Sequence, residues 1–309
     1  MRNRRKHPIS PETIDRVFKY TAIAGAIPVL LLMVGFLIQL CWNAWPAFRE
    51  FGFNFLISVK WDPVAGEYGA LPAITGTITT TAIALAIAIP LSFTTALFLV
   101  DAPGWLGTPL SHAIDLLAAI PSIIYGMWGL FVLIPFMQLY IQPRLAWIPF
   151  MGEDYNGFGF ATSGLILALM IMPFICAIMR DVFRMVPSVL REAVHGIGAT
   201  RWETAFDVTM RYGKRGLLGG IFVGLGRAVG ETMAVLFVIG NIHELPRTLF
   251  GSGTTIASTL AANFAEAEGM FRSVLFALGL VLLLMSFGVQ IVAQWWLIYA
   301  VKKSGGYNG

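Results

Sequence analysis

Residues 219–240 read GGIFVGLGRAVGETMAVLFVIG. Arg227, Glu231 and Thr232 are the polar side chains in an otherwise apolar and glycine-rich stretch. A spanning helix takes about 20 apolar residues to cross roughly 30 Å of hydrocarbon, so this segment is long enough to span. A charge at the bilayer centre costs at least ~2.5–3.5 kcal/mol. Two of them, four residues apart, call for a reason.

The rest of the chain sets the context. Of 309 residues, 57% are hydrophobic and 12% charged, with a mean hydropathy of +0.74. A soluble protein carries about 25% charged residues, which excludes that class. Residues 20–48, 68–100, 116–143, 155–179 and 273–301 contain no Asp, Glu, Lys or Arg, and each is long enough to span. With the segment at 216–240 they make six. Backbone amides in hydrocarbon must be paired within the protein, so the segments read as helices. The alternating pattern of a membrane β-barrel is absent. The expectation is an all-α polytopic membrane protein with a short segment at 1–19 and one transmembrane domain over 20–309, without an internal repeat.

Lys and Arg orient it. Six precede the first span, seven lie at 180–215 and two at the C-terminus, fifteen in all, against five in the opposite loops: Arg49, Lys60, Arg144, Arg247 and Arg272. The positive-inside rule then puts both termini in the cytoplasm. The pI near 9.2 follows from topology, with anionic lipid as partner rather than nucleic acid. The opening MRNRRKH could begin a signal peptide, but the apolar run after it exceeds an h-region and lacks a small-residue cleavage site, so a retained anchor is expected. Cys41 and Cys176 read as small packed hydrophobes.

On one continuous helix, Gly216, Gly220, Gly224, Arg227, Glu231 and Ala234 fall within about 80° of one another. Small residues let helices approach closely or leave room for a cavity. Eleven residues separate Gly216 from Arg227, about 16 Å of helix, which places the guanidinium near mid-bilayer. Two readings remain. One is a structural i,i+4 ion pair, which in low dielectric gains attraction but also desolvation cost. The other is an anion path, in which Arg227 offers a two-pronged donor to an oxyanion and Glu231 holds Arg227 at rest or accepts from a protonated substrate oxygen. Thr75 and Thr77 are softer pathway candidates, since threonine hydroxyls often bond back to their own helix. Pro90, Pro121, Pro135 and Pro173 are expected to kink their helices.

Three connections are long: 45–69 and 241–271 outward, 181–215 inward. Long loops usually have a job. The outward pair, with Trp61-Asp62-Pro63 and Gly251-Ser252-Gly253, reads as a solvated cap or as a docking surface for an extracytoplasmic partner. Inward, PSVLREAVHGIGATRWETAFDVTMRYGKRG (187–216) starts a helix at Pro187-Ser188, with Leu190, Ala193, Val194 and Ile197 at helical spacing. Gly196 and Gly198 end it, and Trp202, Ala205, Phe206 and Thr209 begin a second helical pattern. Such a shape suits a helix-in-groove contact or an amphipathic segment lying on the membrane.

Glu192-Ala193-Val194, three residues, then Gly198 resembles the EAA-xxx-G loop of ABC importer permeases. The resemblance implies that Glu192, Ala193, Gly196, Gly198 and Ala199 belong to a coupling helix seated in a cleft of a cytoplasmic ATPase. Where that family continues I-x-L-P, this chain has Val208, Thr209, Met210 and Arg211, so the second helix departs from the usual start. Trp61-Asp62-Pro63 with Tyr68-Gly69-Ala70-Leu71-Pro72, Ala119–Gly126 (AIPSIIYG), Gly226–Thr232 (GRAVGET) and Ala261–Ala267 (AANFAEA) together resemble the PstC-type permeases of bacterial phosphate importers, a branch of the type I, MetI-like ABC permeases. That resemblance covers roughly 60–300. It implies a sister permease of the PstA type, a pair of PstB-type ATPase subunits, a PstS-type extracytoplasmic phosphate-binding protein, and phosphate as substrate on a path past Arg227, Glu231 and Thr232.

No G-x-x-x-x-G-K-[ST] occurs; Gly213-Lys214 lacks the first glycine and the hydroxyl. His7, His112, His195 and His243 form no H-E-x-x-H, and no G-x-S-x-G is found. The expectation is a non-enzymatic permease with no cofactor or metal of its own. The alternatives are a permease for sulfate or molybdate, and an ion-coupled carrier. The carrier's signs, inverted repeats and helices broken at the midplane, are not visible in the sequence.

Overall fold

A computed structural model describes residues 11–148, 150–152, 155–245 and 247–303. The basic residues 1–10 and the C-terminal 304–309 lie outside them. Among the described residues, β-pairing is confined to two isolated bridges, Asp62–Glu67 and Gly240–Gly253. The helices are α1 (Pro11–Phe51), α2 (Asn54–Ile57), α3 (Leu71–Asp101), α4 (Gly104–Ala119), α5 (Ser122–Leu145), α6 (Phe160–Arg184), α7 (Ser188–Gly196), α8 (Arg211–Val229), α9 (Met233–Leu236), α10 (Ile256–Asn263) and α11 (Gly269–Lys303).

Five helices are long and apolar enough to cross a membrane: α1, α3, α5, α6 and α11. The sixth expected span, 216–240, is not one helix. It is α8, a break at Gly230–Thr232, and the short α9. The apolar run is therefore broken, against the expectation of one continuous helix. The stretch 101–115, which carries no Lys or Arg, is mostly helix α4, which packs against α6. Two of the four prolines do not bend a helix interior as expected. Pro121 is the N-cap of α5, where φ near −65° suits the entry. Pro135 lies between two π-helical turns, Gly129–Leu133 and Met137–Ile141, which re-register the amides around a residue without an N–H. Pro90 and Pro173 lie inside α3 and α6.

α6 is the bundle's centre. Its most apolar window is 67% buried, against 28% or less in the other four. Phe160, Ile166, Leu167, Ile171, Ile175 and Phe183 are fully enclosed. Lipid is as apolar as leucine, so helices there associate through close packing at small residues. Accordingly Gly164 of α6 meets Ile83 of α3, and Gly216, Gly220 and Gly224 of α8 press on Val182, Ile178 and Ile175 of α6. α1 stands outside this bundle, packed along α11. Cys176 is enclosed as expected, whereas Cys41 on α1 is exposed on this single chain.

At the end of the bundle away from α7, the connections form one layer. Asp62 accepts from the Val64 and Ala65 amides, 2.9 and 3.1 Å, an Asx turn that folds the 58–70 hairpin. Trp61 of this hairpin stacks on His243 at 4.5 Å, and Tyr68 stacks on Phe271 at 5.6 Å. The 241–255 segment folds back into the bundle. Gly253 leaves no room for a Cβ beside Phe160, nor Gly76 beside the Thr254 carbonyl. The Thr254, Thr255, Ser258 and Thr259 hydroxyls are buried and bond one another, with Thr255 and Ser258 closing a capping box on α10. Burial pushes the His243 imidazole down to about 4, with Thr259 Oγ1 3.3 Å from its Nε2.

Candidate substrate path and coupling helix

The glycine stripe positions Arg227. Because Gly216, Gly220 and Gly224 bring α8 onto α6, the next residue on that face projects across α6. Arg227 Cζ lies 4.2 Å from the centroid of the Phe174 ring. Such cation–π contacts contribute ~0.5–1 kcal/mol when exposed and about 2 or more when desolvated. The stripe thus gives close approach rather than a cavity.

Arg227 and Glu231 do not pair. Gly230 ends α8, and Glu231 turns with the break; its Oε1 accepts from the Ala234 amide at 3.1 Å, at the start of α9. Among the described residues no ion pair involves Arg227. The i,i+4 geometry assumed a continuous helix, and the break removes it; Glu231 does not hold Arg227 in this state. The guanidinium is instead exposed on this chain. It opens onto a cleft of about 410 Å³ lined by Phe222, Val223, Gly226, Arg227, Gln290 and Gln294. Thr232, whose hydroxyl donates to the Gly230 carbonyl at 3.3 Å, lines a larger apolar cleft of about 810 Å³ between α1, α10 and α11. Gln290 borders both.

Thr75 and Thr77 sit elsewhere, in the first two turns of α3. Thr75 donates to the Leu71 and Pro72 carbonyls, 2.8 and 3.0 Å. Thr77 is buried, donates to Ala73 O at 2.7 Å and accepts the Ile256 amide at 3.0 Å, joining α3 to α10. Neither lines the Arg227 cleft.

The second site is α7. It has no buried residue. Val189, Ala193 and Ile197 are exposed on it, Ile197 at 86%, as are Glu192, Gly196 and Gly198, while Ala199 is half-buried. A Schellman motif ends it. Gly198, at φ +94°, donates to His195 O at 3.0 Å and Ala199 donates to Val194 O at 3.2 Å. Gly198 is therefore glycine because the backbone turns left-handed there; Gly196 is simply the last helical residue. The following helix opens with a capping box, Thr200 Oγ1 accepting from Glu203 N and Glu203 Oε2 from Thr200 N. These bonds hold the Glu203 carboxyl below its ordinary range. Residues 201–203 and a π-helical stretch, Thr204–Met210, then run directly into α8. The second helix of this loop is thus the foot of the broken span. Arg191 ties α7 to Asp101 at the end of α3, 3.8 Å, and Arg180 ties α6 to Asp115 of α4, 3.3 Å. Among the described residues no group of three metal-ligand side chains occurs.

The sequence profile described as "Binding-protein-dependent transport system inner membrane component" matches residues 88–296. The chain belongs to this family. Among curated relatives of this inner-membrane component, the phosphate transport system permease protein PstC of Pasteurella multocida is 47% identical, over 98% of this chain and 96% of that one. The protein of the same name from Haemophilus influenzae is 47% identical over 91% and 92%. The fold recurs in a solved bacterial alginate ABC transporter (TM-score 0.62, 15% identity, 90% of this chain and 94% of that chain) and in the MetNI methionine ABC transporter (0.57, 16%, 78% and 99%). At such identities these two speak for the fold alone.

The reading of the sequence missed Phe174, Gln290, Gln294 and the Thr200–Glu203 box. The box has a visible signature, T-x-x-E. The glutamines lie four residues apart in an uncharged span. Nothing in the sequence marks Phe174 as the ring beneath Arg227.

Proposed function

We propose that this chain is the membrane permease subunit of an ATP-driven importer of inorganic phosphate, forming half of the substrate path. The observation that carries this reading is Arg227: a guanidinium in the apolar, glycine-rich segment, without a carboxylate partner among the described residues, on a ring face, open to a cleft. Such a group is costly against lipid and suited to a tetrahedral oxyanion, which it meets with two parallel N–H donors. Since Arg227 lies on the outside of this chain, the other wall of the path belongs to a second permease. The names of the relatives support phosphate over sulfate or molybdate.

In this mechanism both termini and α7 face the cytoplasm. An ATPase pair receives α7 through Val189, Ala193 and Ile197, and its closure moves α7. Motion passes through the Arg191–Asp101 tie to α3 and through the π-helical stretch into α8, which carries Arg227. An extracytoplasmic binding protein delivers phosphate at the aromatic layer of Trp61 and Tyr68. Thr77 holds α3 to α10 near that entrance, Thr75 precedes it in α3, and Thr232 shapes the break below. The break itself also suits an ion-coupled carrier, but a carrier working alone has no use for an uncovered α7.

Uptake of radiolabelled phosphate by vesicles carrying the assembled transporter tests the proposal. Arg227→Gln should lower uptake at least tenfold with assembly unchanged. Arg227→Lys, which keeps charge but loses the fork, should fall between. Normal uptake in Arg227→Gln would overturn it.

A further inference from the structure

Between residues 274 and 298, α11 carries three polar side chains besides tryptophan: Ser286, Gln290 and Gln294. Their four-residue spacing puts them within about 80° on one helix face. Ser286 borders the larger cleft, Gln290 both clefts, and Gln294 the Arg227 cleft. The stripe thus runs from the break after α8 to the guanidinium.

A primary amide offers two donors and an acceptor. Neither glutamine has a hydrogen-bond partner among the described residues, in a span that is otherwise almost wholly apolar. Polar side chains inside spans turn toward a bundle interior or a water-filled cavity. The neighbouring helix makes room for one of them: a Cβ on Gly226 would stand 2.9 Å from Gln290 Nε2. The amide therefore lies directly over the α8 backbone, one residue before Arg227.

We propose that Gln290 and Gln294 are substrate-contacting residues, the neutral wall of the anion path that faces Arg227. This rests on the path reading above and deepens it. Arg227 supplies charge; the amides replace the water that a tetrahedral oxyanion loses on entering the cleft. Their neutrality matters, because a second cation would hold a multivalent anion too firmly to release it.

The test is uptake and assembly in Gln290→Leu, Gln290→Glu and Gln294→Glu transporters, each measured at pH 7.5 and 5.5 against the unsubstituted complex at the same pH. Gln290→Leu should cut uptake several-fold. The isosteric Gln290→Glu places negative charge against the anion and should cut it at least tenfold at pH 7.5. Uptake should recover several-fold at pH 5.5, because the bound anion and burial in the cleft raise an introduced carboxyl's pKa above the ordinary value and its protonated form is again a neutral hydrogen-bonding group. Gln294→Glu should follow the same pattern. Equal losses in Gln290→Leu and Gln290→Glu without pH recovery would mean packing and overturn the inference. So would normal uptake in the Glu variants. If Arg227→Gln abolishes uptake while the glutamine variants transport normally, this inference alone fails; if Arg227→Gln transports normally, the path reading itself fails.

Discussion

Two glycines in the α7 loop, two residues apart, should respond oppositely to alanine. Gly198 sits at φ +94°, and its amide and that of Ala199 close the Schellman motif. Forcing an L-residue into left-handed backbone costs ~1–2 kcal/mol, a factor of about 5–30 in the population of the closed end. Nothing else compensates. α7 has nine residues and none is buried, whereas isolated helices need about 12–15 to be even marginal. Its remaining polar ties are weak: the His195 ring lies 3.1 Å from Ala199 O and 3.5 Å from Thr204 Oγ1, and Arg191 reaches Val186 O at 3.5 Å and the partly exposed Asp101 at 3.8 Å. Gly196 is helical, and a Cβ there meets nothing within 4 Å; alanine in a helix gains ~0.8–1 kcal/mol. Amide hydrogen exchange on the purified chain reads both. In Gly198→Ala the amides of 198 and 199 should exchange about 5–30 times faster, and ATPase retention on purification should fall at least as far as fivefold. Gly196→Ala should exchange no faster and retain the ATPase fully. Equal behaviour of the two variants, or unchanged exchange in Gly198→Ala, would refute the reasoning.

Three further outcomes follow from other contacts. Thr200→Ala removes the cap on the helix leading into α8 and should cost about 1 kcal/mol, seen as faster exchange at residues 201–204; because the Glu203 carboxyl is held low by the same box, that protection should persist above the ordinary carboxylate range and fade as pH falls through the lowered value. His243 is held neutral down to about 4 from 6.5, so the unfolded chain binds the proton first and stability should fall on acidification between those values, by up to about 3 kcal/mol; thermal unfolding of His243→Phe, which keeps a ring on Trp61, should lose that slope. Gly76→Ala drives a Cβ into the Thr254 backbone carbonyl, which cannot yield as a side chain would, and should abolish accumulation of folded protein in the membrane while Gly288→Ala, with open space around it, should not.

Much of this was legible in the sequence because hydrocarbon imposes a simple code. Long uncharged runs gave the spans, and the i,i+4 glycines of α8 gave its packing face on α6. The break after Val229 was not legible: Gly230 inside an apolar run is compatible with a continuous helix, and the bonds that hold the chain beyond it, Gly159 N to Val238 O and Gly253 N to Ile239 O, come from outside the segment. That break decides the fate of Glu231, which leaves Arg227 for the Ala234 amide. Thr77 illustrates the same limit. Its back-bond to Ala73 follows from local rules, but its second bond, to Ile256, comes from 179 residues away.

The central claim is that Arg227 borders a water-accessible anion path, and Val223 reports on it, since it lines the same cleft and is exposed. In a transporter whose copy of this chain carries Cys41→Ser and Cys176→Ser, with labelling read on this chain alone, Val223→Cys should react with a membrane-impermeant anionic thiol reagent faster than with a cationic one of equal size, and phosphate should slow that reaction during ATP turnover. A thiol that reacts with lipid-soluble maleimide alone, and with neither charged reagent from either side in any nucleotide state, would contradict the account.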